Sequence, residues 1–347
     1  MRCKPGFLGI LLWSGAWSSV LSAQALIGPI EAFSFDAPTH SLRAVNGSLG
    51  SASLGPALLS EIDFASVAPH QNYALAFRNG HGMIVSELGA ASEPSVMALD
   101  SAAVPEAVAW SGDGTTAILY SRSGNSIQRL TGLPGSPALG PSLSTSLLGG
   151  SLLSVASDST AAHIAIGIAG GTSSGIFEMT NGQGFVPLAS LAQPVSLAFS
   201  DDDATLYGID AATHQLSEVK MADFSSQNWA LDPLQDPIAV RSATGASNSK
   251  VIYVAGRSDR LLMALDAASH QTIATIPLGF QPTLLDPLGR NSFALGSRVG
   301  GHDALWSLAI LPQASVYFVP ATPLTLKPVP LPVQERSAQS AGEDFRK

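Results

Sequence analysis

The stretch AVAWSGDGTTAILY, residues 107–120, holds two short apolar runs separated by a polar turn. The first run ends at Trp110, and the second occupies residues 117–120. The Gly-Asp-Gly sequence at 112–114 is typical of a tight turn, because glycine accepts positive φ and aspartate bonds its own backbone. The stretch therefore predicts a hairpin of two short strands.

The same pattern recurs about seven times, and each copy adds a second turn and a third apolar run. The copies are anchored at Phe35, Val67, Trp110, Val155, Phe199, Val240 and Leu285. The spacings between successive anchors are 32, 43, 45, 44, 41 and 45 residues. A period in the low forties with several short strands per unit predicts an all-β chain folded as a seven-bladed β-propeller. Because the first copy is degenerate, six or eight blades remain open.

Composition fits one globular body and limits the partners. Charged residues make up 12% of the chain and hydrophobic residues 46%, and the net charge is −9. An acidic, charge-poor surface argues against a nucleic-acid partner, which requires a basic stripe, and against an anionic membrane surface. The single cysteine, Cys3, precedes the predicted domain, so that domain has neither a disulfide nor a thiolate metal site. We expect no metal and no cofactor.

The two ends of the chain predict its compartment and its domain limits. Residues 1–25 resemble a secretory signal peptide, with Arg2 and Lys4 before an apolar run and cleavage between Ala25 and Leu26. An uncleaved anchor is the alternative. The propeller is expected at residues 26–319, followed by a proline-rich disordered tail at 320–347. We expect a secreted or periplasmic protein without a stable membrane span, and a monomer, because a closed ring has no long free edge.

Two segments resemble known bacterial propeller repeats. VIYVAG at 251–256 and LDAASHQTIATIPLG at 265–279 resemble the YVTN-type repeat, with Ala255 and Gly256 where Thr-Asn is usual. WSGDGT at 110–115 resembles the Trp-Ser-Pro-Asp-Gly turn of Tol-type propellers, with glycine in place of proline. The resemblance implies a secreted bacterial seven-bladed propeller. These groups include lactone hydrolases, surface-layer proteins and protein-binding scaffolds, so the resemblance leaves the function open.

Four arginines occupy one repeated position, just past the second strand of their copy. They are Arg78, Arg122, Arg257 and Arg298. In propellers these turns lie near the mouth of the central channel, where guanidinium groups would attract carboxylates. We therefore predict that this face binds an anionic ligand or an acidic protein segment, aided by His81 and His302. The alternative is that each arginine caps strand-end carbonyls or pairs with a nearby acid such as Asp259 or Asp303.

Signals for catalysis are weak, and no catalytic residue is assigned. The G-x-S-x-G sequence at 171–175 is expected in a turn between strands, without the helix that a nucleophile elbow requires. The acids at 201–203 are predicted to form a turn rather than a cation site, and His163 is predicted to pack in the core. The sequence thus favours a non-enzymatic binding or scaffold protein, with a surface-layer protein and a lactone hydrolase as alternatives. Candidate residues for the hydrolase are Glu106, Asp210, His81 and His302.

Overall fold

The chain forms seven small antiparallel sheets arranged as the blades of a β-propeller. The computed structural model describes residues 29–321, except 91–92, 100–101, 172, 181–183, 246–247, 290, 297–304 and 312. Blades 2 to 7 each have four strands, and blade 1 has three within these described residues. Every strand pairs antiparallel with its sequence neighbour in the same blade.

The strands follow one another in chain order. Blades 1 and 2 comprise β1 Ile30–Asp36, β2 Ser41–Asn46, β3 Ser53–Leu59, β4 Phe64–Val67, β5 Tyr73–Arg78, β6 His81–Ser86 and β7 Ser95–Leu99. Blades 3 and 4 comprise β8 Ala107–Trp110, β9 Ala117–Ser121, β10 Ser126–Thr131, β11 Ala138–Ser144, β12 Ser151–Ser157, β13 Ile164–Ala169, β14 Gly175–Met179 and β15 Phe185–Ala189. Blades 5 and 6 comprise β16 Pro194–Phe199, β17 Thr205–Asp210, β18 Gln215–Lys220, β19 Ser226–Ala230, β20 Pro237–Thr244, β21 Lys250–Gly256, β22 Leu261–Asp266 and β23 Thr272–Pro277. Blade 7 comprises β24 Asp286–Pro287, β25 Ser292–Ala294, β26 Leu305–Ala309 and β27 Ser315–Val319.

Among the described residues, the hydrophobic core consists of seven clusters, each lying between two neighbouring blades. For example, Ile118 and Ile127 of blade 3 pack with Leu152 and Ile166 of blade 4. One cluster joins Val45 of blade 1 to blade 7 and so closes the ring. Since a single four-stranded sheet cannot bury both of its faces, stacking is what buries them. The predicted number of seven blades is thus confirmed, and six or eight are excluded.

Alternating strand directions give the ring two faces. In blades 2 to 7, the mouth face carries the turns between second and third strands, and the opposite face carries the other turns within each blade. In blade 1 the β1–β2 turn lies at the mouth face, because the His40 carbonyl accepts a hydrogen bond at 3.0 Å from the Ile62 amide in the connection to blade 2.

On the opposite face, acidic turns link consecutive blades. The Asp113 amide donates to the Ser159 carbonyl at 2.8 Å, and the Ser159 amide donates to Asp203 Oδ1 at 3.0 Å. Thr244 Oγ1 donates to Asp201 Oδ2 at 2.6 Å. The predicted turn at 201–203 is confirmed, and its acids also connect blades.

The fourth strands differ from the sequence prediction, which assigned three strands to most copies. These outer strands are largely exposed; the sequence SQNWA of β19, for example, contains four exposed residues. Without a buried face they lack the apolar pattern that reveals a strand. His163 also differs, because it lies just before β13 with 42% of its side chain exposed and bonds Glu178 Oε1 at 2.6 Å. It is a surface residue rather than the predicted core residue.

Both predicted terminal segments lie mainly outside the described residues. The proposed signal peptide, including Ala25 and Leu26, falls there entirely, and so does the tail beyond Ala321. Pro320 and Ala321 are described, and the Leu54 amide donates to the Pro320 carbonyl at 2.8 Å. Within the described part of the chain, no helix has the length and apolar character needed to cross a membrane.

Candidate functional site

The mouth face carries the described members of the predicted arginine set, and each contacts the connection that precedes its own blade. Arg78 ends β5 and is buried. Its Nε donates to the Glu61 carbonyl at 3.1 Å, and its Nη2 donates to the Ser60 carbonyl. His81 begins β6 and is exposed. Arg78 therefore ties a loop to the blade and offers little of its charge to a ligand.

Arg122 and Glu106 form an exposed pair on blade 3. Arg122 Nε lies 3.7 Å from Glu106 Oε2, and 53% of the Arg122 side chain is exposed. Glu106 Oε1 accepts hydrogen bonds from Ser123, including its amide at 2.9 Å, and from Ser121 Oγ at 3.0 Å. These bonds, those from Ser123 foremost, lower the pKa of Glu106 to about 2. Glu106 therefore stays ionised at neutral pH.

Acid titration of Glu106 tests this geometry. A lowered folded pKa means that the stabilisation from ionised Glu106 is fully present above the unfolded value of 4.5 and is lost as pH falls towards about 2. We expect the Glu106 carboxyl carbon to titrate in NMR with a midpoint near 2. The Ser123→Ala variant loses the hydrogen bond from the Ser123 hydroxyl to Glu106 and keeps the one from the Ser123 amide. Its Glu106 titration midpoint should therefore rise. A midpoint near 4.5 in the unaltered protein would contradict the hydrogen-bond arrangement.

Arg257 and Asp236 form a second pair on blade 6. Arg257 Nε and Nη2 donate to the two carboxylate oxygens at 3.0 and 3.2 Å. Ser258 Oγ donates to the same carboxylate at 2.7 Å. Arg257, with the Ser258 bond, lowers the pKa of Asp236. The Arg257 side chain is still 52% exposed, so the pair lies at the surface.

A third pair was not predicted from the sequence. Arg241 lies in β20, the first strand of blade 6, and its Nη2 donates to Asp286 Oδ1 of blade 7 at 2.8 Å. Burial raises the pKa of the Tyr120 phenol of blade 3, with Arg122, Asp286, Arg241 and Glu106 all acting on it electrostatically. The sequence signal that could have revealed this pair is Arg241 itself, the one charged residue of strand β20.

The remaining predicted residues are not brought together by any described contact. Arg298 and His302 lie outside the described residues. Asp210 is buried and accepts bonds from the amides of Ala192, Gln193 and Ala212 at 2.9 to 3.0 Å. In the described part of the structure no hydrogen bond joins Asp210, Glu106 and His81. The ligand-binding role of the arginines and histidines stays a prediction.

Exposed apolar side chains accompany the Arg122 pair. Leu147 lies in the short 3₁₀ segment Ser146–Leu148, which precedes blade 4, and it is 88% exposed. Asn125 fixes this segment from the neighbouring turn, because its Oδ1 accepts from the Leu152 amide and its carbonyl accepts from the Thr145 amide, both at 2.8 Å. Val104 precedes Glu106 and is 40% exposed. We call Val104, Glu106, Arg122, Asn125 and Leu147 the blade 3 rim.

The opposite face has a shallow cleft between blades 5 and 6. It encloses about 450 Å³, and its lining includes Lys220, Lys250 and Asp202. Lys250 bonds Asp202 and Lys220 bonds Glu218, so both ammonium groups are already paired. No cluster of three His, Cys, Asp or Glu side chains able to hold a metal is found among residues with described positions.

The G-x-S-x-G sequence lies in the turn between β13 and β14, as predicted. Ser174 Oγ accepts a hydrogen bond from the Gly170 amide at 2.9 Å, and β14 begins directly afterwards at Gly175. No helix follows, so the strand-to-helix geometry of a nucleophile elbow is not formed here.

The comparisons with known proteins concern the fold. No protein-family model and no curated protein sequence matches the chain. A protein of unknown function from Desulfotomaculum acetoxidans has a similar structure, with a TM-score of 0.59, 8% identity and coverage of 84% of this chain and 99% of that one. The dihydro-heme d1 dehydrogenase NirN is also similar, with a TM-score of 0.55 and 12% sequence identity. The match covers 86% of this chain and 66% of NirN.

A virginiamycin B lyase from Staphylococcus aureus, a catalytically inactive form with quinupristin, is also similar. Its TM-score is 0.52 at 10% identity, with coverage of 81% of this chain and 88% of the lyase. The lyase and the dehydrogenase have different activities, and one fold can carry unrelated functions. The similarity therefore shows that this chain has the β-propeller fold, and it shows the fold alone.

Proposed function

We propose that this chain is a secreted or periplasmic β-propeller that binds a protein or envelope component at its mouth face. The single observation that carries the proposal is the blade 3 rim. It presents Leu147, which is 88% exposed, on a segment bonded to Asn125, and Asn125 ends the turn that begins at the half-exposed Arg122. Arginine is enriched at protein interfaces, and an exposed leucine supplies apolar surface that a partner can bury.

The proposal is supported by the hydrogen bonds that hold the blade 3 rim in place before a partner binds. The Asn125 bonds fix the segment bearing Leu147, and the Glu106 bonds fix the turn bearing Arg122. A side chain that is held in place before binding loses less conformational entropy on binding. The exposed N–H groups of Arg122 would suit a partner segment with a carboxylate next to an apolar side chain.

Affinity capture with paired variants tests the proposal. The mouth variant combines Leu147→Asp with Arg122→Glu, and the control combines Phe224→Asp with Lys250→Glu on the opposite face. Phe224 and Lys250 are likewise exposed, so the two variants carry matched changes. We expect the control to retain the species captured by the unaltered protein from the native extracellular fraction, and the mouth variant to lose at least about tenfold, or about 1.4 kcal/mol.

Folding of both variants is checked by circular dichroism and thermal unfolding. If the mouth variant captures the same species in the same amounts as the control, the proposed binding face is wrong. The enzymatic and surface-layer alternatives remain predictions from the sequence, and no described contact favours either of them.

A further inference from the structure

The described arginines of the predicted set differ in how far their N–H groups are already bonded. Arg78 is buried and donates from Nε and Nη2 to two backbone carbonyls. Arg257 donates from Nε and Nη2 to the two oxygens of Asp236, at 3.0 and 3.2 Å. In both residues the Nε–Nη2 edge of the guanidinium, which fits the two oxygens of a carboxylate, is therefore occupied.

Arg122 leaves this edge without a hydrogen bond. Its Nε lies 3.7 Å from Glu106 Oε2, which is longer than a hydrogen bond. Among the described residues, no hydrogen bond joins its guanidinium to any partner. The side chain is also half-exposed. The Arg122 guanidinium can therefore donate to a carboxylate from outside the chain.

Serine donors hold Glu106, the nearest carboxylate to Arg122. Glu106 Oε1 accepts hydrogen bonds from the Ser123 amide at 2.9 Å, from the Ser123 hydroxyl, and from Ser121 Oγ at 3.0 Å. Three donors on one oxygen fix the carboxylate on the turn. Glu106 consequently does not form with Arg122 the two-bond contact that an acid forms with the equivalent arginine of blade 6.

We propose that Arg122 recognises a carboxylate of the bound partner through two parallel hydrogen bonds, and that Ser121 and Ser123 keep its guanidinium accessible by holding Glu106. The inference rests on the proposed function, because it names the group of the blade 3 rim that recognises the partner. A guanidinium suits this task because it is planar and spaces its donors like the two carboxylate oxygens. Glu106 released from the serine donors would turn towards Arg122 and compete for the same edge.

Acetate tests the recognition, because it presents a carboxylate without the rest of a partner. It is titrated into the full chain while the arginine Nε–H signals are followed by NMR, and chloride at equal ionic strength controls for screening. The Arg122 signal is assigned by its loss in Arg122→Lys. Arg257 is the internal reference, since it also follows a second strand and is 52% exposed, against 53% for Arg122. We expect a saturable shift of the Arg122 signal beyond the chloride effect, and no such shift of the Arg257 signal.

Variants of the turn should change the acetate affinity in opposite directions. Glu106→Gln removes the competing charge and keeps an oxygen for the serine donors, so acetate should bind about two- to fivefold more tightly. Ser121→Ala combined with Ser123→Ala releases Glu106, so acetate should bind about two- to fivefold more weakly. In the Glu106→Gln background the serine changes should have no effect, because no carboxylate remains to compete. A turn that was merely distorted would instead lose affinity in both backgrounds.

Equal responses of Arg122 and Arg257 to acetate overturn the proposal, and so does acetate binding that is unchanged or weaker in Glu106→Gln. These failures differ from a failure of the proposed function. Without an Arg122 response, a mouth variant that still loses its captured species would do so through Leu147, and the binding face would stand without the carboxylate contact. An Arg122 response together with unchanged capture contradicts the binding face itself, and the role of Arg122 in partner recognition falls with it.

Discussion

Replacing Arg43 by methionine should lower the free energy of unfolding by about 3–5 kcal/mol, because it leaves a buried carboxylate without its cation. Arg43 is only 1% exposed, and its Nη1 lies 2.9 Å from Asp36 Oδ2, which is also buried. Its Nε donates to the Gly55 carbonyl at 2.8 Å, and its Nη2 donates to the Leu54 carbonyl at 3.2 Å. The β2–β3 pairing is irregular on both sides of Arg43. The guanidinium therefore binds β3 where the regular ladder is interrupted.

Chemical denaturation gives the measurement, with Arg122→Met as the matched control. Arg122 is half exposed in its pair with Glu106, so its loss should cost about 0–1 kcal/mol. Adding Asp36→Asn to Arg43→Met should recover part of the loss, because the uncompensated charge is then removed. Equal costs for Arg43→Met and Arg122→Met would show that the buried pair does not stabilise blade 1.

Gly167→Ala should destabilise the protein by about 1–3 kcal/mol through overpacking between blades 4 and 5. Gly167 lies in β13, and a Cβ there would be 2.4 Å from Ser154 Oγ and 2.6 Å from the Pro194 carbonyl oxygen. Those two atoms already form a 2.7 Å hydrogen bond that joins the first strands of blades 4 and 5. The added methyl group would separate the two strands or break their bond.

Gly89→Ala is the control for this change. An added Cβ at Gly89 meets no atom within 4 Å, so only the small backbone effect of replacing glycine should appear. Denaturation midpoints of the two variants give the comparison. The packing argument fails if Gly167→Ala is as stable as Gly89→Ala.

The apolar pattern predicted the inner strands because those strands are buried on both faces. β5, for example, is buried at all six positions and was evident from the sequence. The fourth strands were missed because exposure removes the pattern, as in β19. Arg122 and Arg257 directly follow their second strands, as predicted, whereas Arg78 is the last residue of its strand, β5. The partners of these arginines were not predicted. They lie in the connections between blades, which vary in length and composition.

The pair of Arg241 and Asp286 shows a second limit of prediction from the sequence pattern. The two residues lie 45 positions apart and meet because the first strands of blades 6 and 7 are neighbours in the ring. The repeat assigns both residues to equivalent inner strands, but side-chain direction depends on the register, which the sequence pattern leaves undetermined. A deliberate search for charged residues in first strands would have found Arg241.

The cluster that joins blade 7 to blade 1 has a consequence for biosynthesis. Bonds between consecutive blades connect residues that are about one repeat apart, such as Ser154 with Pro194 at 40 positions and Ser159 with Asp203 at 44. The Leu54–Pro320 bond instead connects the two extremes of the domain. Because nearby contacts form sooner than distant ones, a nascent polypeptide can assemble one unit after another as it emerges. A polypeptide that stalls before its last blade would expose the apolar faces of its two terminal blades, and such partly folded species are prone to aggregation.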